Sequence, residues 1–195
     1  MRLPPRKMPN VAFPKIALHF LVLAFSVTAV CRTLAAQSEK TSSPLTISSA
    51  SFPSGGTIAK KYTCDGPDVS PQLSWTDPPP GTQTFALLAD DPDAPGGNWN
   101  HWTIWNLPAG SRSLPEGASK EEHLTDGSQQ GKNDFPKIGY NGPCPPPGSP
   151  HRYYFKLFAL DIKLNLKPGA GKKELEAAMQ GHILAHAEWM GRYGR

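Results

Sequence analysis

The chain has 195 residues, with 20 Lys and Arg against 16 Asp and Glu, and a formal net charge of +4. The excess positive charge comes from the first 36 residues, which hold five basic residues and no acidic one, so the remaining 159 or so hold 15 basic and 16 acidic residues. A nearly neutral body lacks the broad positive field that attracts a polyanion, and we therefore expect no nucleic-acid partner.

Residues 1–36 have the pattern of a cleaved export signal. A basic start precedes an apolar run at 16–30, and small residues come before Gln37, so cleavage after Ala35 or Ala36 is expected. The run is short for a membrane helix, which predicts a periplasmic or secreted protein with no stable membrane span after cleavage. Two alternatives stay open: a lipoprotein attached through Cys31, and an uncleaved anchor.

The rest of the chain has the size of one domain and is rich in short β-like segments. A flexible lead-in at 37–44 precedes a domain at 45–195. Many short strands separated by clusters of Pro, Gly, Asn and Asp predict a mainly β sandwich or barrel. The predicted strands occupy 45–52, 57–62, 72–75, 84–89, 100–107 and 152–166.

Two segments depart from this strand pattern. A stretch at 110–135 has almost no apolar residues, which predicts a long surface loop. Near the end of the chain, Leu175, Met179 and Trp189 recur at roughly helical spacing. This predicts a C-terminal helix at 172–190, or two short helices broken at Gly181, that packs on the sheet.

Signal cleavage would leave two cysteines, Cys64 and Cys144, in a compartment that permits disulfides. A bridge would close a loop of about eighty residues and would hold the Pro-rich loop that precedes His151. Two buried free thiols are the alternative, because a sequence does not show whether the two Cα atoms approach within bonding range.

Two histidines about fifty positions apart each follow a loop rich in Pro and Gly and each open an apolar, aromatic strand. Because side chains alternate along a strand, His101, Thr103 and Trp105 are expected on one face. If the strands of His101 and His151 lie near each other, the imidazoles converge on one small pocket with an apolar base. Two unrelated surface imidazoles are the alternative.

An acidic loop precedes the first histidine and contains Asp90, Asp91 and Asp93. A carboxylate near an imidazole accepts its N–H and favours the cation, so we expect raised histidine pKa values and a pair of cations that could hold an anion. Backbone N–H groups of the Gly-rich turns could add donors. Asx turns that only shape the loop are the alternative.

Metal and nucleophile chemistry have less support. Two His and one Asp could bind zinc, but their spacing is not a compact ligand motif. His182 and His186 lie four apart on the predicted helix, without the Glu of the hydrolytic zinc motif. Ser149 precedes His151 without a nucleophile elbow and is a turn residue. We therefore expect no metal, no cofactor and no catalytic residue.

Several motifs occur along the domain in a fixed order: Asp91-Pro92-Asp93-Ala94-Pro95, Trp99-Asn100-His101, the Pro-rich stretch 142–148 followed by His151-Arg152-Tyr153, and the closing stretches 181–184 and 191–193. Together they resemble the phosphatidylethanolamine-binding protein family, in particular its bacterial, Raf-kinase-inhibitor-like branch. The chain differs from the animal members in having Cys144 in the Pro-rich loop and in lacking their C-terminal aromatic residue at the pocket mouth.

The resemblance implies a β-sandwich with peripheral C-terminal helices and a small pocket that accepts phosphate or a phospholipid head group. Carried over position by position, it implies a set of ligand-binding residues. These are Asp91, Pro92, Asp93, Trp99, His101, Pro146, His151 and, as a weaker match, Tyr153.

We therefore expect an exported, non-enzymatic protein that binds a small anion or a phospholipid head group. In this hypothesis His101 and His151 donate to phosphate oxygens, and the acidic loop orients and charges them. One alternative is an inhibitor of a partner protein, such as a protease or a signalling enzyme, that acts through the pocket rim and the 110–135 loop. Another is a metal-assisted or acid–base phosphohydrolase that uses Asp93 and His151.

Overall fold

A computed structural model describes residues 43–167 and 169–195. The predicted signal peptide and positions 37–42 of the predicted lead-in lie outside the described residues. No helix in the described part of the chain is both long and apolar enough to cross a bilayer.

Two antiparallel sheets form the framework. A large sheet has the strand order β6-β4-β3-β7-β8, and a small sheet has the order β1-β2-β5. The strands are β1 (Ile47–Ser48), β2 (Leu73–Trp75), β3 (Thr84–Asp91), β4 (Trp99–Pro108), β5 (Ser113–Leu114), β6 (Gln129–Gln130), β7 (His151–Leu160) and β8 (Ile183–Tyr193). A 3₁₀ turn covers Lys60–Tyr62, and one helix, α1, covers Lys172–Met179.

The central strand β3 is buried along its whole length because both faces of the large sheet are covered. Alternate residues such as Phe85 and Leu87 point into the core that the two sheets share, while Ala86 and Leu88 point to the opposite face. On that opposite face Leu175 and Met179 of α1 complete a second apolar cluster. The mainly β sandwich is thus confirmed, with one peripheral helix.

The predicted helix at 172–190 is correct only in its first half. It ends at Met179, and a turn at Gly181, whose φ is +81°, leads into the edge strand β8. His182 and His186 therefore do not share a helix face. His182 Nδ1 lies 2.9 Å from Asp161 Oδ1, and the His186 ring stacks on Phe158 of β7. The apolar residues of this segment fit either period, and pairing with β7 decides between them.

The polar stretch at 110–135 is not a simple surface loop, since it contains β5 and β6 and buries Gln130 completely. Gln130 Nε2 donates to the carbonyls of Ser119 and Glu121, at 2.7 Å each, and its Oε1 accepts from Trp102 Nε1 at 2.7 Å. A buried amide holds this segment together with a few apolar contacts, such as those of Leu114, which explains why its hydrophobic pattern is weak.

Three of the predicted strands differ from the structure by more than two residues at one end or are absent. The first strand shrinks to Ile47–Ser48, and the segment at 57–62 forms an isolated bridge at Thr57 followed by the 3₁₀ turn. The last one, predicted at 152–166, covers His151–Leu160.

Cys64 and Cys144 form a disulfide, with their Cα atoms 5.4 Å apart and 80 positions between them in the chain. It joins the segment after the 3₁₀ turn to the Pro-rich loop before β7. The backbone N–H of Cys64 also donates to the carbonyl of Pro143 at 3.1 Å. The Pro-rich loop is therefore held both covalently and by backbone pairing.

Replacing both bridged cysteines, as Cys64→Ser with Cys144→Ser, should lower the free energy of unfolding. Loop-closure entropy sets an upper value of about 4–5 kcal/mol for a loop of this length. Urea unfolding of the oxidised protein and of the double variant measures the difference, and wild-type protein treated with a reductant should match the variant. Equal midpoints for all three would contradict a stabilising role of the bridge.

Candidate functional site

A cavity of about 200 Å³ opens where the end of β3 meets the first residues of β4 and β7. Antiparallel pairing produces this meeting point: Asp91 is the register partner of Trp99, and Asp90 that of Tyr154. The lining residues come from the acidic loop, the Pro-rich loop and the strand ends. They are Asp91, Ala94, Pro95, Gly96, Trp99, His101, Phe135, Cys144, Pro145, Pro146 and His151.

Five of the eight predicted ligand residues line this cavity: Asp91, Trp99, His101, Pro146 and His151. The other three, Pro92, Asp93 and Tyr153, do not line the cavity. Pro92 is exposed and shapes the loop, whereas the Tyr153 ring supports His101 from behind, with ring centroids 5.2 Å apart. That any of these residues contacts a ligand stays a prediction.

A β-bulge sets the direction of His101. The neighbours Ala89 and Asp90 pair with Trp102 and Asn100, which leaves His101 as the extra residue of β4. A bulge shifts the side-chain alternation, so His101 joins Tyr153 on the side of the shared core. The expectation that His101 shares a face with Thr103 and Trp105 is therefore wrong.

Thr103 lies on the opposite face, where its hydroxyl donates to Asn100 Oδ1 at 2.7 Å. Asn100 in turn approaches Asp90, whose carboxylate binds Lys172 at the start of α1 at 2.9 Å. Asp90, one of the three acidic-loop residues, therefore supports the sheet and does not act in the cavity.

His101 is 3% exposed and is held by a backbone carbonyl. Its Nδ1 donates to the carbonyl of Asn141 at 2.7 Å, and the Phe135 ring packs edge-on against it at 5.3 Å. Burial lowers the pKa of His101 below its ordinary value and outweighs the opposing effects of the Asn141 carbonyl and the Asp91 charge. The expected rise in the pKa of this histidine is wrong, because desolvation dominates.

A buried polar network fixes Asn141. Asn133 Nδ2 donates to Asn141 Oδ1 at 2.8 Å, and Asn141 Nδ2 donates to Asp68 Oδ2 at 3.0 Å. The backbone N–H of Asn141 also donates to the His101 carbonyl at 3.0 Å. Every polar group of the Asn141 side chain has a partner, so the acceptor for His101 is held in one position.

His151 is tied to a carboxylate. Its Nδ1 lies 2.8 Å from Asp91 Oδ2, and the two side chains are 11% and 4% exposed. The other oxygen of Asp91 accepts the backbone N–H of Asp93 at 2.9 Å. Asp91 thus fixes both the ring of His151 and the start of the acidic loop. For His151, this agrees with the expectation that a carboxylate of the acidic loop accepts an imidazole N–H.

Asp93 has a different partner from the one expected. Its carboxylate accepts from Arg152 Nη2 at 2.7 Å, and from Arg152 Nε and the Arg152 backbone N–H at 2.9 Å each. The Arg152 side chain lowers the pKa of Asp93 to about 2. Asp93 is therefore paired with Arg152, and the acid–base pair of Asp93 with His151 is not assembled around the cavity.

Two polar atoms near the cavity lack partners. Among the described residues, Trp99 Nε1 and Tyr153 Oη are the buried side-chain nitrogen and oxygen atoms with no hydrogen bond. Burial, reinforced by the nearby Asp91 charge, raises the pKa of Tyr153, so its hydroxyl keeps its proton. Buried donors are normally satisfied, and of these two residues only Trp99 lines the cavity.

Arg195 holds the outer rim. Its Nη1 donates to the Pro145 carbonyl at 3.2 Å, and its Nε lies 3.3 Å from Asp65 Oδ1. Together with the disulfide at Cys144, these contacts attach the Pro-rich loop to two other segments. The rim on this side of the cavity is consequently fixed independently of any ligand.

Sequence reasoning missed several site residues. Phe135 lies at the end of the stretch that was predicted to be a surface loop, and its apolar character there was the available signal. Asn141 is polar and carries no periodic pattern, so nothing in the sequence pointed to it. Three more lining residues, Ala94, Pro95 and Pro145, were part of the motifs only, and Gly96 lies in the Gly-rich turn that follows Pro95.

No group of three or more His, Cys, Asp or Glu side chains within residues 43–167 and 169–195 is placed to hold a metal ion. The nearest such arrangement at the site is the pair of His151 and Asp91.

The profile described as phosphatidylethanolamine-binding protein matches residues 48–194. The chain belongs to the phosphatidylethanolamine-binding protein family. Its fold agrees with two solved structures of that family. The phosphatidylethanolamine-binding protein homologue CT736 of Chlamydia trachomatis is 40% identical, with a TM-score of 0.72 over 79% of this chain and 99% of that one. Escherichia coli YbcL, described as a member of the mammalian family, is 33% identical, with a TM-score of 0.74 over 78% and 99%.

A UPF0098 protein of Methanothermobacter thermautotrophicus is 49% identical over 144 residues, which cover 74% of this chain and 95% of the relative. The predicted family is thus confirmed, and the match covers the domain that holds the cavity.

Histidine ¹⁵N spectra recorded across pH should identify the state of His101. We expect the Nδ1–H tautomer, because Nδ1 faces a carbonyl, and a titration midpoint below the ordinary histidine value of about 6.5, because the ring is buried. An Nε2–H tautomer, or a midpoint above that value, would contradict the geometry described for this ring.

Proposed function

We propose that the protein is an exported, non-enzymatic binding protein that holds a small oxyanion or a phosphorylated head group in this cavity. The observation that carries the proposal is the pair of histidines on its wall. Both rings use Nδ1 to bind protein, at Asn141 and at Asp91, and this leaves Nε2 of each as the ring nitrogen available to a ligand. Family membership supports a ligand-binding role.

The size of the cavity favours a small ligand. At about 200 Å³ it is smaller than the 300–1,000 Å³ typical of pockets for drug-sized molecules. A phosphate group with a short substituent matches this volume, whereas the acyl chains of a phospholipid would have to stay outside.

Two kinds of contact are available to such a ligand. In its imidazolium form, His151 donates Nε2–H to an anionic oxygen while Asp91 holds the other nitrogen. Trp99, Phe135 and Pro146 supply apolar surface for a carbon substituent. Asp93 and Arg152 neutralise each other as an ion pair, so together they contribute little net charge to the cavity.

Export is supported by the disulfide and by the sequence of the first 36 residues. Structural disulfides persist in oxidising compartments and are rare in the cytosol. The bridge between Cys64 and Cys144 contributes directly to the cavity, because Cys144 lines it. The ligand would therefore be met in the periplasm or outside the cell.

Phosphate and phosphoethanolamine should bind, with an affinity that rises as the pH falls, by up to about tenfold per pH unit for each proton taken up. The sign follows from His101: its pKa is lowered, so the free ring is neutral, and an anion favours a proton at this position. Calorimetric titrations at several pH values measure this. A flat profile would contradict the proposal.

Two variants and a matched control test the assignment. His101→Ala and His151→Ala should each weaken phosphate binding about tenfold or more, since each removes a hydrogen bond to a charged group. His182→Ala is the control, because His182 also pairs with an aspartate, Asp161, but on the surface, where both side chains are about 40% exposed. Equal losses in all three variants, or no loss in any, would exclude the cavity as the site.

A further inference from the structure

We propose that the disulfide between Cys64 and Cys144 is a site of thiol–disulfide exchange, and that its reduction releases one wall of the cavity. An external thiol attacks Cys64, and Cys144 departs as the thiolate. Exchange and release of the wall do not depend on what the cavity binds. Only the effect of reduction on phosphate affinity rests on the proposed function.

The bridge is accessible to a thiol in solution. Both of its cysteines are exposed, and Cys144 also lines the cavity. Exchange requires direct attack of a thiolate on one of the two sulfur atoms, and exposed bridges are the labile and regulatory ones among protein disulfides. An accessible redox bond is therefore part of the cavity wall.

The chain before the bridge is held without it. The Tyr140 hydroxyl donates to the Tyr62 carbonyl at 2.7 Å, and the backbone N–H of Gly142 donates to Asp68 Oδ1 at 2.6 Å. Tyr140 is 1% exposed and packs in the core that the two sheets share. Reduction leaves these contacts intact, so the fold and segment 140–143 keep their positions.

The chain after the bridge has few other attachments. Residues 145–150 include four prolines, which have no backbone N–H to donate. In the part of the chain that the structure describes, the hydrogen bonds of this segment run to Arg195. The Pro145 carbonyl accepts from Arg195 Nη1, and the Gly148 N–H donates to the Arg195 carbonyl, at 3.2 Å each. Reduction therefore releases this segment locally, and with it Pro145 and Pro146 of the cavity wall.

Arg195 makes the two sulfur atoms unequal. Its Nη1 lies 3.7 Å from Cys144 Sγ, and a guanidinium beside a sulfur favours the thiolate. The thiol with the more stable thiolate departs faster, which favours attack on Cys64 and departure of Cys144. Asp65 shares the charge of Arg195, with Oδ1 3.3 Å from Nε, and it directly follows Cys64, where its own charge opposes a thiolate. Both neighbours thus favour the same direction.

The exchange balances in two steps. The external thiolate forms a bond to Cys64 Sγ, the bond between Cys64 and Cys144 breaks, and its electron pair leaves with Cys144. A second thiolate then attacks the external sulfur of the mixed disulfide and releases Cys64 as a thiolate. In total two external thiols are oxidised to one disulfide, and the protein bridge is reduced to two cysteines that take up the two protons.

Trapping of the mixed disulfide tests the direction of attack. The oxidised protein is treated briefly with reduced glutathione, quenched with excess N-ethylmaleimide and mapped by peptide mass spectrometry, which also distinguishes Cys31. We expect glutathione on Cys64 and the maleimide on Cys144. The reverse, or equal amounts of the two products, would overturn the assigned direction.

Arg195→Gln tests the cause of this direction. It should slow bridge reduction by about two- to fivefold, since it removes the charge that stabilises the departing thiolate. Arg195→Lys keeps the charge and should restore most of the rate. Arg192→Gln, at an exposed arginine of β8, is the control and should leave the rate unchanged. A rate that Arg195→Gln does not lower would exclude this role of Arg195.

Spectra of ¹H–¹⁵N pairs in the oxidised and reduced protein test the release of the wall. Reduction should shift the backbone signals of Gly148 and Ser149 and the indole signal of Trp99, which also lines the cavity, while the signals of the strands stay in place. The double variant Cys64→Ser with Cys144→Ser should reproduce these shifts without a reductant. Loss of dispersion throughout the spectrum, or no shift at any of the three positions, would overturn a local release.

Calorimetric titration of phosphate connects the wall to the proposed function. The reduced protein should bind phosphate about tenfold more weakly than the oxidised protein, and by reciprocity phosphate should shift the thiol–disulfide equilibrium towards the bridge by the same factor. Equal affinity of the two forms would overturn the coupling between the bridge and the cavity. Absence of binding to both forms would overturn the proposed function, whereas the trapping experiment and the spectra decide the exchange site independently.

Discussion

The cavity depends on one carboxylate, Asp91, at the end of the buried central strand. Its two oxygens bind the ring of His151, on the first residue of β7, and the backbone N–H of Asp93 in the acidic loop. A side chain of which 4% is exposed pays a desolvation cost that only such paired contacts offset. Because β3 lies between β4 and β7, this one group fixes the spacing of both walls and the entry of the loop between them.

The two histidines illustrate how surroundings separate the chemistry of identical side chains. His151 faces a carboxylate and His101 faces a carbonyl, and burial lowers the pKa of His101 below its ordinary value.

Much of the site follows from local sequence, but its orientation does not. Proline and glycine on either side of Asp91 and His151 mark the loops, and the family motifs place them together. The bulge at His101 arises from the register between β3 and β4. Residues 183–193 form a strand and not a helix because they pair with β7. Both depend on contacts far apart in the chain. Asn141 acts through its backbone carbonyl, a group that every residue has, so its identity gave no signal.

In the proposed function one oxyanion lies between Nε2 of His101 and Nε2 of His151. A crystal structure of the protein grown with phosphate tests this most directly. We expect a phosphate whose oxygens lie within hydrogen-bonding distance, about 2.7–3.2 Å, of Nε2 of both His101 and His151, with Nδ1 of each still bound to Asn141 and Asp91. An empty cavity at saturating phosphate, or a phosphate bound elsewhere, would contradict it.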